Sequence, residues 1–242
     1  MQPAPAEWRV TDAPAIPLVS GLTVVTAIVE ERGDYESLKR IEGVTPDRVR
    51  ISYTARGEVI SDAGLETMRS RREVLRSDLA SAHGYRMIFT PADKPMYPGM
   101  TALGVSTAVY RELAGGGTST IDLFAAMDET ATLLTIMEAL PSDLRGSLQA
   151  VSTQPEPVSV LVNGERRWLA SLHARGMFEG MTRDVPVDLW ILDSADNPLM
   201  LRARVGEKHV QAVRIDVPQS DRLRDLEAAL TARRTVEIWG LY

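Results

Sequence analysis

Apolar and polar residues alternate with a period of two over much of this chain, the spacing of half-buried strands. In 48–54, Val49, Ile51 and Tyr53 share one face, and Arg50, Ser52 and Thr54 the other. The preceding stretch 34–41 fits either a short helix or the first arm of a hairpin turning at Thr45-Pro46-Asp47, and the hairpin is the preferred expectation. Further on, Val185, Val187, Leu189 and Ile191 alternate with Pro186, Asp188 and Trp190. The run 193–198 (Asp-Ser-Ala-Asp-Asn-Pro) is rich in turn formers. Leu199, Leu201, Ala203 and Val205 then alternate with Met200, Arg202 and Arg204. Gly206-Glu207-Lys208 turns the chain again, and Val213, Ile215 and Val217 follow against Arg214 and Asp216. Three strands joined by short turns predict an antiparallel meander. The sharpest local signal is Asn163-Gly164 between 158–162 and 165–171. A type I′ turn needs positive φ at both central residues, which this pair tolerates.

Helical periodicity is scarcer. Leu223, Leu226 and Leu230 share a face over 219–233, with Ser220 placed to cap and Arg233-Arg234 near the C-terminal dipole. A second helix is expected over 101–114, closed by Gly115-Gly116-Gly117, and a last strand over 235–241. The fold class expected is therefore mainly β (α+β): antiparallel meanders and hairpins, one or two helices, and a C-terminal helix followed by a strand. The stretch 149–157 reads as a linker, dividing the chain into a β-rich region 1–150 and a meander plus helix 151–242, which could also form one continuous domain.

Composition narrows the function classes. With 242 residues, 44% of them hydrophobic, the chain can bury a core without disulfide or metal staples. Cysteine is absent, which removes disulfides, thiol nucleophiles and Cys-type zinc sites together. A formal charge of −6 argues against a nucleic-acid partner. No apolar run approaches the length needed to span a bilayer. The polar, Pro-rich opening Gln2–Glu7 reads like a mature N-terminus left after removal of a signal peptide.

Candidate chemistry is sparse. Gly104-Val105-Ser106-Thr107-Ala108 approximates the nucleophile elbow of serine hydrolases, and Asp193 and His209 follow in the order a triad would need. The elbow also needs a buried parallel strand just before it, which Tyr97-Pro98-Gly99-Met100 does not provide. Ser106 therefore reads first as a polar position in a helix or turn. Ile191-Leu192-Asp193-Ser194-Ala195 approximates an aspartic-protease signature, but Ala195 stands where glycine is needed. Neither Asp62-Ala63-Gly64 nor Asp122-Leu123-Phe124 supplies the second copy. His83, His173 and His209 lie far apart, without metal-ligand spacing. Gly115–Gly117 follows a helical segment and lacks the Lys-Ser/Thr of a phosphate loop. Arg166, Arg167, Arg202, Arg204 and Arg214 could face an anion, although solvated arginine on the polar face of a meander is the simpler expectation. No catalytic, cofactor-binding or metal-ligating residue is assigned, and no cofactor is expected.

Three groups of segments together carry a family resemblance. They are 98–106 (Pro-Gly-Met-Thr-Ala-Leu-Gly-Val-Ser), then 160–164 with His173-Ala174-Arg175-Gly176, and finally Ile191-Leu192-Asp193, Asn197-Pro198-Leu199, Val213-Arg214-Ile215 and 236–242. Together they resemble the region preceding the C-terminal OmpA-like peptidoglycan-binding domain of secreted and cell-envelope proteins of Gram-negative bacteria. The resemblance implies a periplasmic or outer-membrane-associated location and a non-catalytic module that binds or spaces an envelope partner. It also implies an OmpA-like domain beyond Tyr242, through which alone peptidoglycan would be held. The peptidoglycan-contacting Asp and Arg of that family belong to the following domain, so no binding residue maps onto this chain. The alternative function is a serine- or aspartic-type hydrolase.

Overall fold

The Asn163-Gly164 turn forms as its residues dictate, with φ of 51° and 84°. It joins β9 (Glu156–Val162) to β10 (Glu165–Gly180), with Val162 opposite Glu165. The computed structural model describes residues 8–9, 13–29, 33–57, 67–87, 96, 98–124, 144–180 and 183–218. The expected meander is β11 (Asp184–Leu192), β12 (Met200–Val205) and β13 (Lys208–Asp216). The choice between helix and hairpin over 34–41 falls to the hairpin, as β2 (Tyr35–Val44) and β3 (Arg48–Gly57). Thr45 closes their turn, its hydroxyl accepting from the Arg48 amide at 3.2 Å.

The remaining strands are β1 (Thr23–Val29), β4 (Met68–Leu75), β5 (Gly84–Arg86), β6 (Met100–Thr101), β7 (Thr118–Phe124) and β8 (Leu144–Ala150). Two short helices, α1 (Arg76–Ser81) and α2 (Thr107–Ala114), complete the described residues. The chain is mainly β, as its alternation requires. The helix expected over 219–233 and the strand over 235–241 lie outside the described residues.

All thirteen strands among the described residues belong to one sheet, in the order β4-β3-β2-β1-β13-β12-β11-β10-β8-β7-β5-β6. Strand β9 lies off this path and pairs with both β10 and β13. Its contact with β13 is parallel and short, Leu161 opposite Arg214 and Val162 opposite Ile215. These pairings close β9 to β13 into a ring. Asn163 holds the seam: its amide donates to the Ile215 carbonyl at 3.0 Å, and its side-chain oxygen accepts from the Val217 amide at 2.8 Å.

Along one edge the long strand β10 serves two neighbours in turn, while β11 lines the other. Residues 165–171 pair with β9, and 174–180 pair with β8. Beside this corner, β11 is buried without interruption from Val187 to Leu192. Val187, Leu189 and Ile191 join a core with Leu172, Phe178, Leu148 and the α2 residues Val109 and Leu113. Trp190 and Leu192 join a second core with Val24, Ile41, Ile51, Tyr53, Val160 and Leu169. Residues on both sides of position 150 enter each core.

Three expectations need correction. The polar face of the meander at Asp188 and Trp190 is buried, because strands and loops cover both faces of β11. The helix expected over 101–114 starts only at Thr107, since Met100–Thr101 is a strand and Gly104 pairs with Leu199. The supposed linker 149–157 contains the end of β8 and the start of β9, so the connection is only 151–155.

Candidate functional site

The segment that suggested a nucleophile elbow is built for packing. A Cβ on Gly104 would stand 2.0 Å from the Pro198 carbonyl oxygen and 2.8 Å from the Leu199 Cα. The glycine therefore lets two backbones meet, and the Met200 amide donates to the Leu103 carbonyl at 3.0 Å. Ser106 is buried and caps α2, its side chain accepting from the Val109 amide at 3.2 Å. Tyr110, one turn later, donates to the Asp193 carboxylate. Burial first, then this bond, pushes the Tyr110 phenol well above its ordinary range. Thr107 donates to the Ala195 carbonyl at 2.9 Å, and Asn197 donates to the Ile16 carbonyl at 2.9 Å. Together these bonds fasten the 193–198 turn to α2 and to the N-terminal stretch.

Two adjoining clefts flank this turn. One of about 360 Å³ runs between α1, α2 and the turn, past Arg76, Thr107, Arg111 and Asp196. Another of about 580 Å³ lies between residues 13–18 and the turn and reaches Asp193. His209 is not near either. It sits exposed on β13, opposite Arg204 and Val29. Arg204 in turn lies opposite Asp188, five residues back along β11 from Asp193, a distance of about 16 Å at strand rise. Ser106 and Asp193 are brought to one neighbourhood, bridged by Tyr110, and His209 is left out.

A denser polar cluster lies where β10 changes neighbours. His173 Nδ1 is 3.0 Å from Glu156 Oε1, and His173 Nε2 is 2.8 Å from Asp188 Oδ1. Both bonds are made when both ring nitrogens carry hydrogen. Trp190 lies opposite His173 across the strands and stacks on it, with ring centroids 4.1 Å apart and planes inclined by 13°. The indole Nε1 donates to Glu156 Oε2 at 2.8 Å, and the Arg202 guanidinium lies 5.2 Å from the indole centroid. Arg175 Nε donates to Asp188 Oδ1 at 2.7 Å.

The carboxylates respond accordingly. Burial would raise Asp188, but the bonds from His173 and Arg175 outweigh it and hold the group below its ordinary value. Glu156 is likewise held down by Trp190, His173 and Arg202 against burial. Arg202 itself is lowered, by burial and by the neighbouring Arg204. The cluster ties the start of β9 to β10, β11 and β12. Each ring nitrogen of His173 and each carboxylate is engaged within it, so its chemistry is cross-strand locking.

Lys39 is a further buried cation. It lies on the inner face of β2, and its Nζ donates to the carbonyls of Met87 at 3.0 Å and Ala102 at 3.1 Å. Burial, reinforced by Arg72, lowers its pKa to about 7. Thr26, Ser37 and Tyr85 line a cavity of about 20 Å³ beside it, room for one water.

The other residues singled out by sequence are dispersed. His83 is exposed, and its carbonyl accepts from the Asp122 amide at 3.0 Å. Asp122 forms an exposed pair with Arg145 at 3.1 Å, and Asp62 lies outside the described residues. Gly116, at φ 78°, ends α2. Arg167 pairs with Glu165, Arg214 pairs with Asp216 at 3.1 Å, and Arg202 covers Trp190. Among the described residues no group of three His, Asp or Glu side chains could hold a metal ion, and no helix is long and apolar enough to cross a membrane.

Sequence reasoning missed Glu156, Asp188 and Trp190 as partners of His173, because residues on three strands share no local spacing. Lys39 carried a signal. It falls on the same alternate positions as Tyr35, Ser37 and Ile41, the buried face of β2.

No family model matches the chain, and no curated protein matches it. Among solved structures, it is similar to a candidate exported protein with a YmcC-like fold from Bacteroides fragilis. That match has 11% identity and a TM-score of 0.33, and covers 82% of this chain and 97% of that one. It is also similar to a candidate lipoprotein from Parabacteroides distasonis, with 8% identity, a TM-score of 0.34, and coverage of 83% and 97%. Superposition at this level transfers neither fold nor location nor activity to this chain.

Proposed function

We propose that this chain is a non-catalytic module of the cell envelope that binds or spaces an envelope partner. One observation carries the preference over a hydrolase: the polar groups that would do the chemistry are engaged in holding the fold. Ser106 caps α2, Asp193 accepts from Tyr110, and His209 lies about a strand length away. The resemblance in 98–106, in 160–164 with 173–176, and in 191–193, 197–199, 213–215 and 236–242 supports a periplasmic or outer-membrane-associated setting. On this reading an OmpA-like neighbour holds the peptidoglycan, and this region binds it poorly alone. The clefts beside the 193–198 turn are the natural seat for a partner segment, since they join an apolar wall to Arg76, Arg111 and Asp196.

Pelleting with purified sacculi and subcellular fractionation test the reading together. The isolated chain is expected to stay in the supernatant, and the protein as encoded by its gene to fractionate with the envelope. Strong sacculus binding by this chain alone, or a cytosolic location, overturns it. Esterase or peptidase turnover that Ser106→Ala or Asp193→Asn abolishes, with the fold intact, would restore the hydrolase.

A further inference from the structure

The meander β2–β4 has one face in the core and one outside. Tyr35, Ser37, Lys39 and Ile41, then Val49, Ile51, Tyr53 and Ala55, then Met68, Arg72 and Val74 are buried. The alternate positions face outward, and their composition is lopsided. They carry Arg40, Arg48, Arg50, Arg56, Arg69 and Arg71 against Glu36, Glu42 and Glu73. A chain of formal charge −6 thus presents a face of opposite sign.

The arrangement within that face is uneven as well. Glu73 is taken by Arg48 at 2.7 Å and Arg50 at 3.8 Å, toward the β2–β3 turn. Glu42 lies 3.6 Å from Arg71, whose side chain is 82% exposed. Arg40, Ser52 and Arg71 lie directly opposite one another across three strands, and Leu38, Thr54 and Arg69 form the adjacent row. Three guanidinium groups therefore surround two hydroxyls, with Arg40 and Arg71 about 10 Å apart at two strand spacings. Keeping an edge strand from pairing with another chain accounts for charges on the terminal strand β4. It does not account for Arg40, Arg50 and Arg56 on the interior strands β2 and β3.

We propose that this arginine face docks on an anionic phospholipid bilayer. Guanidinium groups bind phosphate in a fork geometry, and hydroxyls add further donors. A negatively charged membrane surface attracts such side chains within a Debye length. The outward positions hold no aromatic ring on which a sugar or base could stack, and a three-stranded meander offers a broad face rather than a groove. These features favour a lipid surface over an acidic glycan or a nucleic acid. The proposal rests on the envelope reading only for the membrane's location; the affinity belongs to the face itself.

Vesicle sedimentation with the full chain tests it. At low salt the protein is expected to pellet with phosphatidylcholine vesicles containing phosphatidylglycerol, to stay free of pure phosphatidylcholine, and to be released by added salt. The variant R40Q/R69Q/R71Q, its fold checked by circular dichroism, is expected to lose on the order of 100-fold in partition, about fivefold per arginine. The variant R145Q/R167Q/R183Q removes the same charge from exposed sites elsewhere and should change partition by less than about threefold. Equal loss in the two variants would make the effect one of net charge and overturn the proposal, as would absence of binding to the anionic vesicles. Dextran sulfate binding that depends on Arg40, Arg69 and Arg71, without vesicle binding, would assign the face to an acidic polymer and also overturn it. The vesicle assay reads the face and fractionation reads the location, so the two proposals fail separately.

Discussion

Replacing Asp188 with asparagine removes one charge from the cross-strand cluster while keeping its shape. Oδ1 accepts from His173 Nε2 at 2.8 Å and from Arg175 Nε at 2.7 Å. Asp188 and His173 are both about 8% exposed in their side chains, so their bond is a buried, charge-assisted one. Such a bond contributes about 1.5–3 kcal/mol, roughly twice a neutral one. The Arg175 side chain is 60% exposed, and solvent screening leaves that pair about 0.5 kcal/mol. Asparagine still accepts one neutral bond, so the expected loss for Asp188→Asn is about 2 kcal/mol. That corresponds to roughly 4–8 °C in Tm for a chain of this size. Asp188→Ala leaves a buried ring nitrogen without its acceptor and should cost about 3–4 kcal/mol.

The same carboxylate makes the loss depend on pH. The folded pKa of Asp188 lies below its ordinary value, so the unfolded chain binds the proton first as pH falls. Its stabilisation is complete above the unfolded carboxylate range near 4 and disappears as pH drops through the folded value. Urea unfolding of wild type and Asp188→Asn at a series of pH values checks this. The gap between them should hold from neutrality to about pH 5 and narrow below about 4. A gap under about 0.5 kcal/mol at neutral pH, or one that persists undiminished in acid, would refute the assignment of a stabilising charge to Asp188.

Gly104→Ala forces a methyl group onto the Pro198–Leu199 backbone and should cost about 3 kcal/mol or more, read as a lowered urea midpoint. Ser106→Ala removes the α2 cap and should cost about 1 kcal/mol, whereas Ser106→Asp, even if it kept a cap, would bury a charge and cost more. Lys39 is deprotonated in the folded state above about 7 but in the unfolded chain only near 10.4, so stability should climb with pH across that window. Lys39→Met should flatten that climb in thermal melts between pH 7 and 10, and an unchanged slope would show that Lys39 is not its source.

The elements that local chemistry determines were legible in the sequence. Asn163-Gly164 can satisfy positive φ at two successive residues, so the hairpin follows from two side chains alone. The turns at 45–47, 193–198 and 206–207 interrupt clear alternation, so the strands beside them follow as well. Alternation also fixes parity, which puts Val49, Ile51 and Tyr53 inward on β3 without reference to any other strand. What parity leaves open is what covers the second face. Asp188, Trp190 and Lys39 stand in patterns that look the same whether the other side meets water or protein. Their burial depends on β10 leaving β9 for β8 and on the segments over β2, contacts distant in sequence. The role of Ser106 was divided in the same way. It read as a polar position in a helix or turn beside a glycine that resembled a catalytic turn, and its capping role appeared only once the helix began at Thr107 and Pro198 and Leu199 stood against Gly104. Short-range preferences determined the strands beside those turns, and only long-range packing decided which polar groups those strands would enclose.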